Sequence, residues 1–154
     1  MKKISIIIPV LNEEENIFPT YNRLISVLDL IKDSYDYEIL FNDNNSQDNS
    51  FSLLTEISTS NKKVKVMKFS KNFGYQQSIL SGFKHCSGDV ALQLDCDLQD
   101  PPELIPEFLK HYETGFDVVY GVRASRKEHF LINYSRVFFY WLISILIEIV
   151  QFFF

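Results

Sequence analysis

Two carboxylates one residue apart, Asp95 and Asp97, carry the strongest chemical signal in this chain, within Leu92-Gln93-Leu94-Asp95-Cys96-Asp97-Leu98-Gln99-Asp100-Pro101-Pro102. In an extended strand residues i and i+2 face the same way, so Asp95 and Asp97 project together while Cys96 turns away. Neighbouring anions repel unless a cation joins them. Mg2+ and Mn2+ take oxygen ligands in octahedral geometry, commonly one or two carboxylates completed by substrate phosphates and water. Gln99 continues the i+2 series with a neutral oxygen, which makes Asp95, Asp97 and Gln99 the candidate metal set. A bare Asp-x-Asp triplet is more often a pair of solvated loop acids. Here an apolar strand precedes it and a Pro-Pro helix start follows, and that context favours the metal.

A second polar run, Phe41-Asn42-Asp43-Asn44-Asn45-Ser46-Gln47-Asp48, also follows a strand. A carboxylate there can accept the imide N–H of a uracil or the N–H groups of a guanine. Asp43 is the residue assigned to ligand, whereas Asp48 reads as a helix cap in an Asx-rich turn. His85, His111 and His129 have no metal-ligand spacing and read as surface or capping residues. Lys71 could reach an anionic ligand, but an exposed Lys before a helix is the simpler reading.

Positioning these loops falls to alternating strands and helices. Ile4 to Ile8 is a β-branched run without polar alternation, as expected of a central strand covered on both faces. After Pro9, Asn12 and Glu15 predict a capping box for a helix with Ile17, Tyr21, Leu24, Leu28 and Ile31 on its inner side. A strand at Glu38 to Phe41 and a helix with Phe51, Leu54 and Ile57 on one side come next. They are followed by a strand through Val64, Val66 and Phe69, a helix from Phe73 to His85, and a strand from Val90 to Leu94. Asp100 predicts an N-cap with prolines in the first turn, for a helix whose stripe is Leu104, Ile105, Phe108, Leu109 and Tyr112. Phe116 to Tyr120 reads as a last strand. The pattern implies right-handed βαβ units in an α/β fold, an open, mostly parallel sheet with helices on both faces. Ligands of such sheets bind beyond the carboxyl ends of the strands, so residues 9–13, 42–48 and 95–100 are expected to share one crevice.

With 154 residues, 46% of them hydrophobic, the chain can bury one core. A net charge of -5 argues against a nucleic-acid partner, which requires a basic surface. Residues 1–120 hold 11 Lys and Arg against 18 Asp and Glu, and residues 121–154 hold 4 against 2. Cys86 and Cys96 lack C-x-x-C spacing and no signal-peptide pattern opens the chain, so a reducing, cytosolic setting is expected.

Taken together, Ser5-Ile6-Ile7-Ile8-Pro9-Val10-Leu11-Asn12-Glu13-Glu14, the Asp43 loop, Ser70-Lys71-Asn72-Phe73-Gly74, Asp95 to Glu103 and Asp117-Val118-Val119-Tyr120-Gly121-Val122-Arg123 resemble family 2 glycosyltransferases of the GT-A fold. More narrowly they are similar to the polyprenyl-phosphate branch, which includes dolichyl-phosphate mannosyltransferases and undecaprenyl-phosphate glucosyltransferases. The resemblance covers residues 4 to about 148, in order. It implies that Pro9, Glu13 and Asp43 line a nucleoside pocket and that Asp95 approaches the ribose and the metal. By the same resemblance Asp97 and Gln99 ligate Mg2+ or Mn2+, and Arg123 and Arg136 hold the acceptor phosphate. Asp97, Arg123 and Arg136 are thus the catalytic expectation. Asn44-Asn45 depart from the Asp-Gly of many relatives, although Asn45 tolerates the left-handed turn a Gly would take.

The activity the resemblance implies is inverting transfer of a hexose from a UDP- or GDP-linked sugar to a polyprenyl phosphate at the cytoplasmic membrane face. Such an acceptor is already anionic, so no general base is strictly required. Two alternatives stand beside it: a nucleotide-sugar-binding piece without turnover, and a family 2 enzyme with a saccharide acceptor. Residues 1–122 are expected to form the donor domain. In 123–154, Asn133, Arg136, Tyr140, Ser144, Glu148 and Gln151 trace a polar stripe on an otherwise apolar helix, expected at the membrane interface with Arg123, Arg126 and Lys127 near lipid headgroups. A transmembrane span and burial against further protein are its alternatives, since relatives continue past this helix and the chain reads as truncated.

Overall fold

The computed structural model describes residues 1–122, and the isoleucine run decides its centre. Strand β1 (Lys2–Val10) has Ile4, Ile6, Ile7 and Ile8 all at 0% exposure, which requires cover on both faces. Chain order continues with α1 (Ile17–Ile31), β2 (Tyr35–Asp43), α2 (Ser50–Ser60), β3 (Val64–Lys68), α3 (Tyr75–His85) and β4 (Val90–Gln93). A 3-10 turn (Pro102–Leu104) then leads into α4 (Ile105–Glu113). All strand pairs are parallel, in the order β3-β2-β1-β4, so β1 is interior as expected.

The pleat sends Ile4, Ile6, Ile8 and Val10 to one side, where they cluster with Ile39 and Phe41 of β2 and with Ile17, Leu24, Leu28, Leu54, Ile57, Ile105 and Leu109 of the helices. Each fully buried side chain of this kind stabilises the fold by about 1.5–3 kcal/mol. On the opposite side Ile7 meets α3 at Gly82, where a Cβ would lie 2.3 Å from Ile7 Cγ2 and 2.7 Å from Asn42 Nδ2. Glycine lets α3 lie directly on β1 and β2. Glu38, 1% exposed on β2, accepts hydrogen bonds from Ser5 Oγ (2.6 Å), Lys65 Nζ (2.7 Å), Lys3 Nζ (3.1 Å) and the Ser87 N–H (2.6 Å). Burial pushes its carboxyl up, but these donors outweigh burial and hold it well below the usual carboxylate range.

Several expectations are corrected. Asn12 does not cap α1: the helix starts at Ile17, and Asn12 instead takes a left-handed turn, φ 56°, with its carboxamide engaged elsewhere. The last helix is entered through Pro101 and a 3-10 turn, with Asp100 ahead of both. Leu104 is 37% exposed and lies off the buried stripe, while Ile105 and Leu109 are buried. Phe116 to Tyr120 forms no strand. Phe116, Val118 and Tyr120 are 58%, 77% and 77% exposed, and no strand among the described residues pairs with them, so the apolar pattern lacks the ladder that would make it a strand. Met1–Val118 form one compact unit. No helix among the described residues is long and apolar enough to cross a membrane.

Candidate functional site

The crossovers through α1 and α2 carry the chain from β1 out to β3, and the crossover through α3 returns it to β4 on the other side of β1. The sheet's direction of growth reverses between β1 and β4, and a crevice opens there at the carboxyl ends of the strands. It is a cleft of about 260 Å³. Pro9, Val10, Leu11 and Glu13 line it from β1, Asn44 from the end of β2, Asp95, Cys96 and Asp97 from the end of β4, and Asn72, Gly74, Tyr75 and Ser78 from the start of α3.

The two expected neighbouring loops are laced together. The Asn12 N–H donates to Ser46 Oγ (2.9 Å), the Gln47 N–H to Asn12 Oδ1 (2.8 Å) and the Asn44 N–H to the Val10 carbonyl (2.8 Å). The Glu13 N–H donates to Ser50 Oγ (2.9 Å), and Asp48 accepts from the Glu14 and Ser50 N–H groups, so Asp48 serves the start of α2 and ties it to this loop. Glu13 faces the cleft, with one carboxylate oxygen held by Asn16 Nδ2 at 2.7 Å. Asn45 takes the left-handed conformation expected of it, φ 66°.

Asp43 sits behind the lining at 0% exposure. Its Oδ1 accepts the Ser46 N–H at 3.1 Å, and its buried Oδ2 has no hydrogen-bond partner among the described residues. A buried acceptor left unpaired costs about 1–3 kcal/mol, more for a charged group. Asn42 Oδ1 is likewise unpartnered, but under α3.

Beyond β4 the alternation continues: Leu94 and Cys96 are buried, Asp95 is half-buried and Asp97 exposed. Cys96 points away, its carbonyl accepting Thr20 Oγ1 at 2.9 Å and its thiol pushed up to about 12 by burial and by the nearby Glu13 carboxylate. Asp95 Oδ1 accepts from Tyr75 Oη (2.5 Å) and Gln93 Nε2 (2.9 Å), and Gln93 Nε2 also donates to Tyr75 Oη (2.7 Å). Burial and the Asp95 hydrogen bond push the Tyr75 phenol up, so it keeps its proton at neutral pH. Asp97 Oδ1 accepts the Gln99 N–H at 3.0 Å across Leu98, whose φ is 62°. Gln99 is exposed and is not among the residues lining the cleft.

Among the described residues no three His, Cys, Asp or Glu side chains gather around one point. The two carboxylates that line this end of the cleft, Asp95 and Asp97, are of the donor type a hard cation takes together with diphosphate and water oxygens. They do not fit a cation caged by protein alone.

Arg123, Arg136 and His129 lie outside the described residues. His85 and His111 are exposed, the former beside the Ser81 carbonyl and the latter edge-on to Phe116. Lys71 stacks over the Phe73 ring. Tyr75, Gln93 and Asn72 were not among the site residues expected from the sequence, whereas Asn44 falls within 42–48, which was expected at the crevice. Gln93 was within reach, since the i+2 series that joins Asp95 to Asp97 also runs backward to it. The Asn44–Asn72 bond (2.9 Å) and the Phe73 N–H to Asn44 Oδ1 (3.0 Å) link segments 28 and 29 residues apart, for which sequence offers no signal.

Comparison with known proteins adds three findings. The family model described as glycosyl transferase family 2 matches residues 5–151. The uncharacterized glycosyltransferase YkcC of Bacillus subtilis is 43% identical over 141 residues, which covers 91% of this chain and 43% of that protein, so this chain spans less than half of that relative's length. Among solved structures, a Pyrobaculum calidifontis mannosyltransferase in complex with GDP-Man and Mn2+ shares the fold at a TM-score of 0.55 and 18% identity, covering 65% of this chain and 33% of that one. A Mycobacterium tuberculosis glucosyl-3-phosphoglycerate synthase in complex with Mn2+, UDP and phosphoglyceric acid does so at 0.54 and 22%, covering 76% and 41%.

Proposed function

Because this chain belongs to glycosyl transferase family 2, we propose that it moves a hexose, with inversion, from a UDP- or GDP-linked sugar to a polyprenyl phosphate at the cytoplasmic face of the membrane. The observation that carries the donor half is the switch-point cleft, where Asp95 and Asp97 face Pro9 and Glu13. Asp43 Oδ2, buried and without a partner among the described residues, suits the N–H of a uracil or guanine. Complexes of GDP-Man or UDP with Mn2+ in proteins of this fold support a nucleotide-sugar donor and a divalent cation here.

In this reading Pro9 and Glu13 flank the nucleoside, Asp43 accepts from the base, and Asp95 would contact the ribose and help hold the cation. Asp97 completes the two-carboxylate set. The cation, when bound, neutralises the negative charge of the departing diphosphate. The acceptor phosphate is itself the nucleophile: its oxygen bonds to the anomeric carbon as the bond to the diphosphate breaks on the opposite face. Arg123 and Arg136 hold that acceptor, and the basic, apolar composition of 123–154 supports a membrane-interface role for the segment.

The test is transfer of radiolabelled sugar into a lipid extract. Label in the organic phase, lost in Asp97→Ala, supports the reading, whereas label in a water-soluble saccharide moves the acceptor to another branch of the family. A second reading is that residues 1–154 bind the donor without turnover. Calorimetry that finds nucleotide binding beside a silent transfer assay would favour it.

A further inference from the structure

Asp95, Gln93 and Tyr75 close a three-membered ring of hydrogen bonds whose direction is fixed by the chemistry of its members. Gln93 Nε2 donates towards both Tyr75 Oη (2.7 Å) and Asp95 Oδ1 (2.9 Å), which lie side by side before it. Tyr75 then has its own proton left for Asp95 Oδ1 (2.5 Å). Both bonds to the carboxylate fall on Oδ1, and Oδ2 receives none among the described residues. A carboxylate gripped at one oxygen by two donors cannot swing freely about its side-chain torsions, and its second oxygen is presented in one direction. Tyr75 is placed for this by Gly74, whose φ of 87° is a conformation L side chains rarely adopt, and by the Gly74 N–H bond to Asn72 Oδ1 (2.8 Å) that sets the first turn of α3.

We propose that Tyr75, braced by Gln93, is a positioning residue that locks the Asp95 carboxylate through Oδ1 and leaves Oδ2 for the cation–diphosphate group of the donor. The inference rests on the donor reading above and adds to it a residue from another element, α3, that neither the acidic pair nor its strand supplies. Tyr75 does not ligate the cation. It sets where one ligand oxygen lies, which lowers the ordering cost of binding.

The test is manganese titration of the purified protein at fixed UDP or GDP, followed by calorimetry. Tyr75→Phe should raise the manganese half-saturation roughly tenfold while the melting temperature without ligand stays close to that of the parent. An unchanged half-saturation overturns the proposal, and so does a lowered one, because then the phenol competes with the cation. In an Asp95→Asn background Tyr75→Phe should add less than about twofold, since coupled residues are not additive; an additive loss means Tyr75 does not act through Asp95. Gln93→Leu should move the half-saturation in the same direction and guards against a Tyr75 variant that fails to fold. If the parent protein shows no manganese-dependent binding of either nucleotide, the donor reading itself falls. The ring is then judged alone by the Gln93 side-chain amide resonances, which shift in Tyr75→Phe if it exists and stay put if it does not.

Discussion

Ser46 gives its backbone N–H to Oδ1 of Asp43, and the other oxygen of that buried carboxylate has no partner among the described residues. One residue thus shapes the turn after β2 and, in the proposed function, accepts from the base. Asp43→Asn separates the two roles. The amide oxygen can keep the Ser46 bond, so the turn should survive, and the loss of stability should not exceed the roughly 1–3 kcal/mol that a buried amide N–H₂ without an acceptor costs. Nucleotide affinity should fall at least about tenfold, since the amide N–H₂ meets the base's N–H donor. Calorimetry with UDP and GDP reads the loss, and equal affinity in the variant would take Asp43 out of the pocket.

Asp97 is the opposite case, an exposed carboxylate whose one partner among the described residues is the Gln99 N–H. Asp97→Ala should change stability by no more than about 0.5 kcal/mol. Manganese-dependent nucleotide binding should drop by about a hundredfold and sugar transfer should vanish. Chelation of divalent ions by EDTA should reduce the parent protein to the variant's level; a variant that keeps metal-dependent binding would assign the cation elsewhere.

Gly82 tests how α3 is seated, and through α3 the start that bears Tyr75. A methyl there would lie 2.3 Å from Ile7 Cγ2, a branched side chain locked in the central strand. Alanine gains about 0.8–1.0 kcal/mol of helix propensity, but overpacking costs about 1–3 kcal/mol, so the clash wins. Gly82→Ala should lower Tm by roughly 5 °C or more and weaken nucleotide binding in parallel. Thermal unfolding decides it.

What the sequence disclosed follows the range of its signals. The isoleucine run of β1, the helical stripes through Leu24 and Leu28 and the Asp-x-Asp pair after β4 are local patterns with periods of two or 3.6 residues, and they were legible. Convergence of the loops after β1 and β4 was legible too, because parallel topology brings strand ends together. Asn12 misled because Asn followed three residues on by Glu is the same string whether it caps a helix or locks a left-handed turn; the choice was made by Ser46 and Gln47, thirty-four and thirty-five residues away. Phe116 to Tyr120 misled because β-pattern needs a neighbouring strand, which no local string contains. Tyr75 was invisible for a related reason. Its partner Asp95 is twenty residues on, and only the fold brings them together.

Far from the cleft, Glu38 sets an acid limit on the fold. Buried, with donors Lys65, Ser5, Ser87 and Lys3, its carboxyl titrates below the ordinary value of 4.5. A group whose folded pKa is depressed stabilises fully above its unfolded pKa and loses that contribution as pH falls toward the folded value. Stability should therefore decline progressively below about pH 4.5, with a slope to which Glu38 contributes. Glu38→Gln removes the charge, leaves Lys65 and Lys3 without their shared acceptor, and should cost about 3 kcal/mol at pH 7. The gap between the two proteins should narrow as pH falls from about 4.5 toward 3, because the parent progressively loses the contribution of its depressed carboxyl. Urea denaturation from pH 3 to pH 7 measures both curves, and parallel curves across that range would mean that other carboxylates set the acid limit.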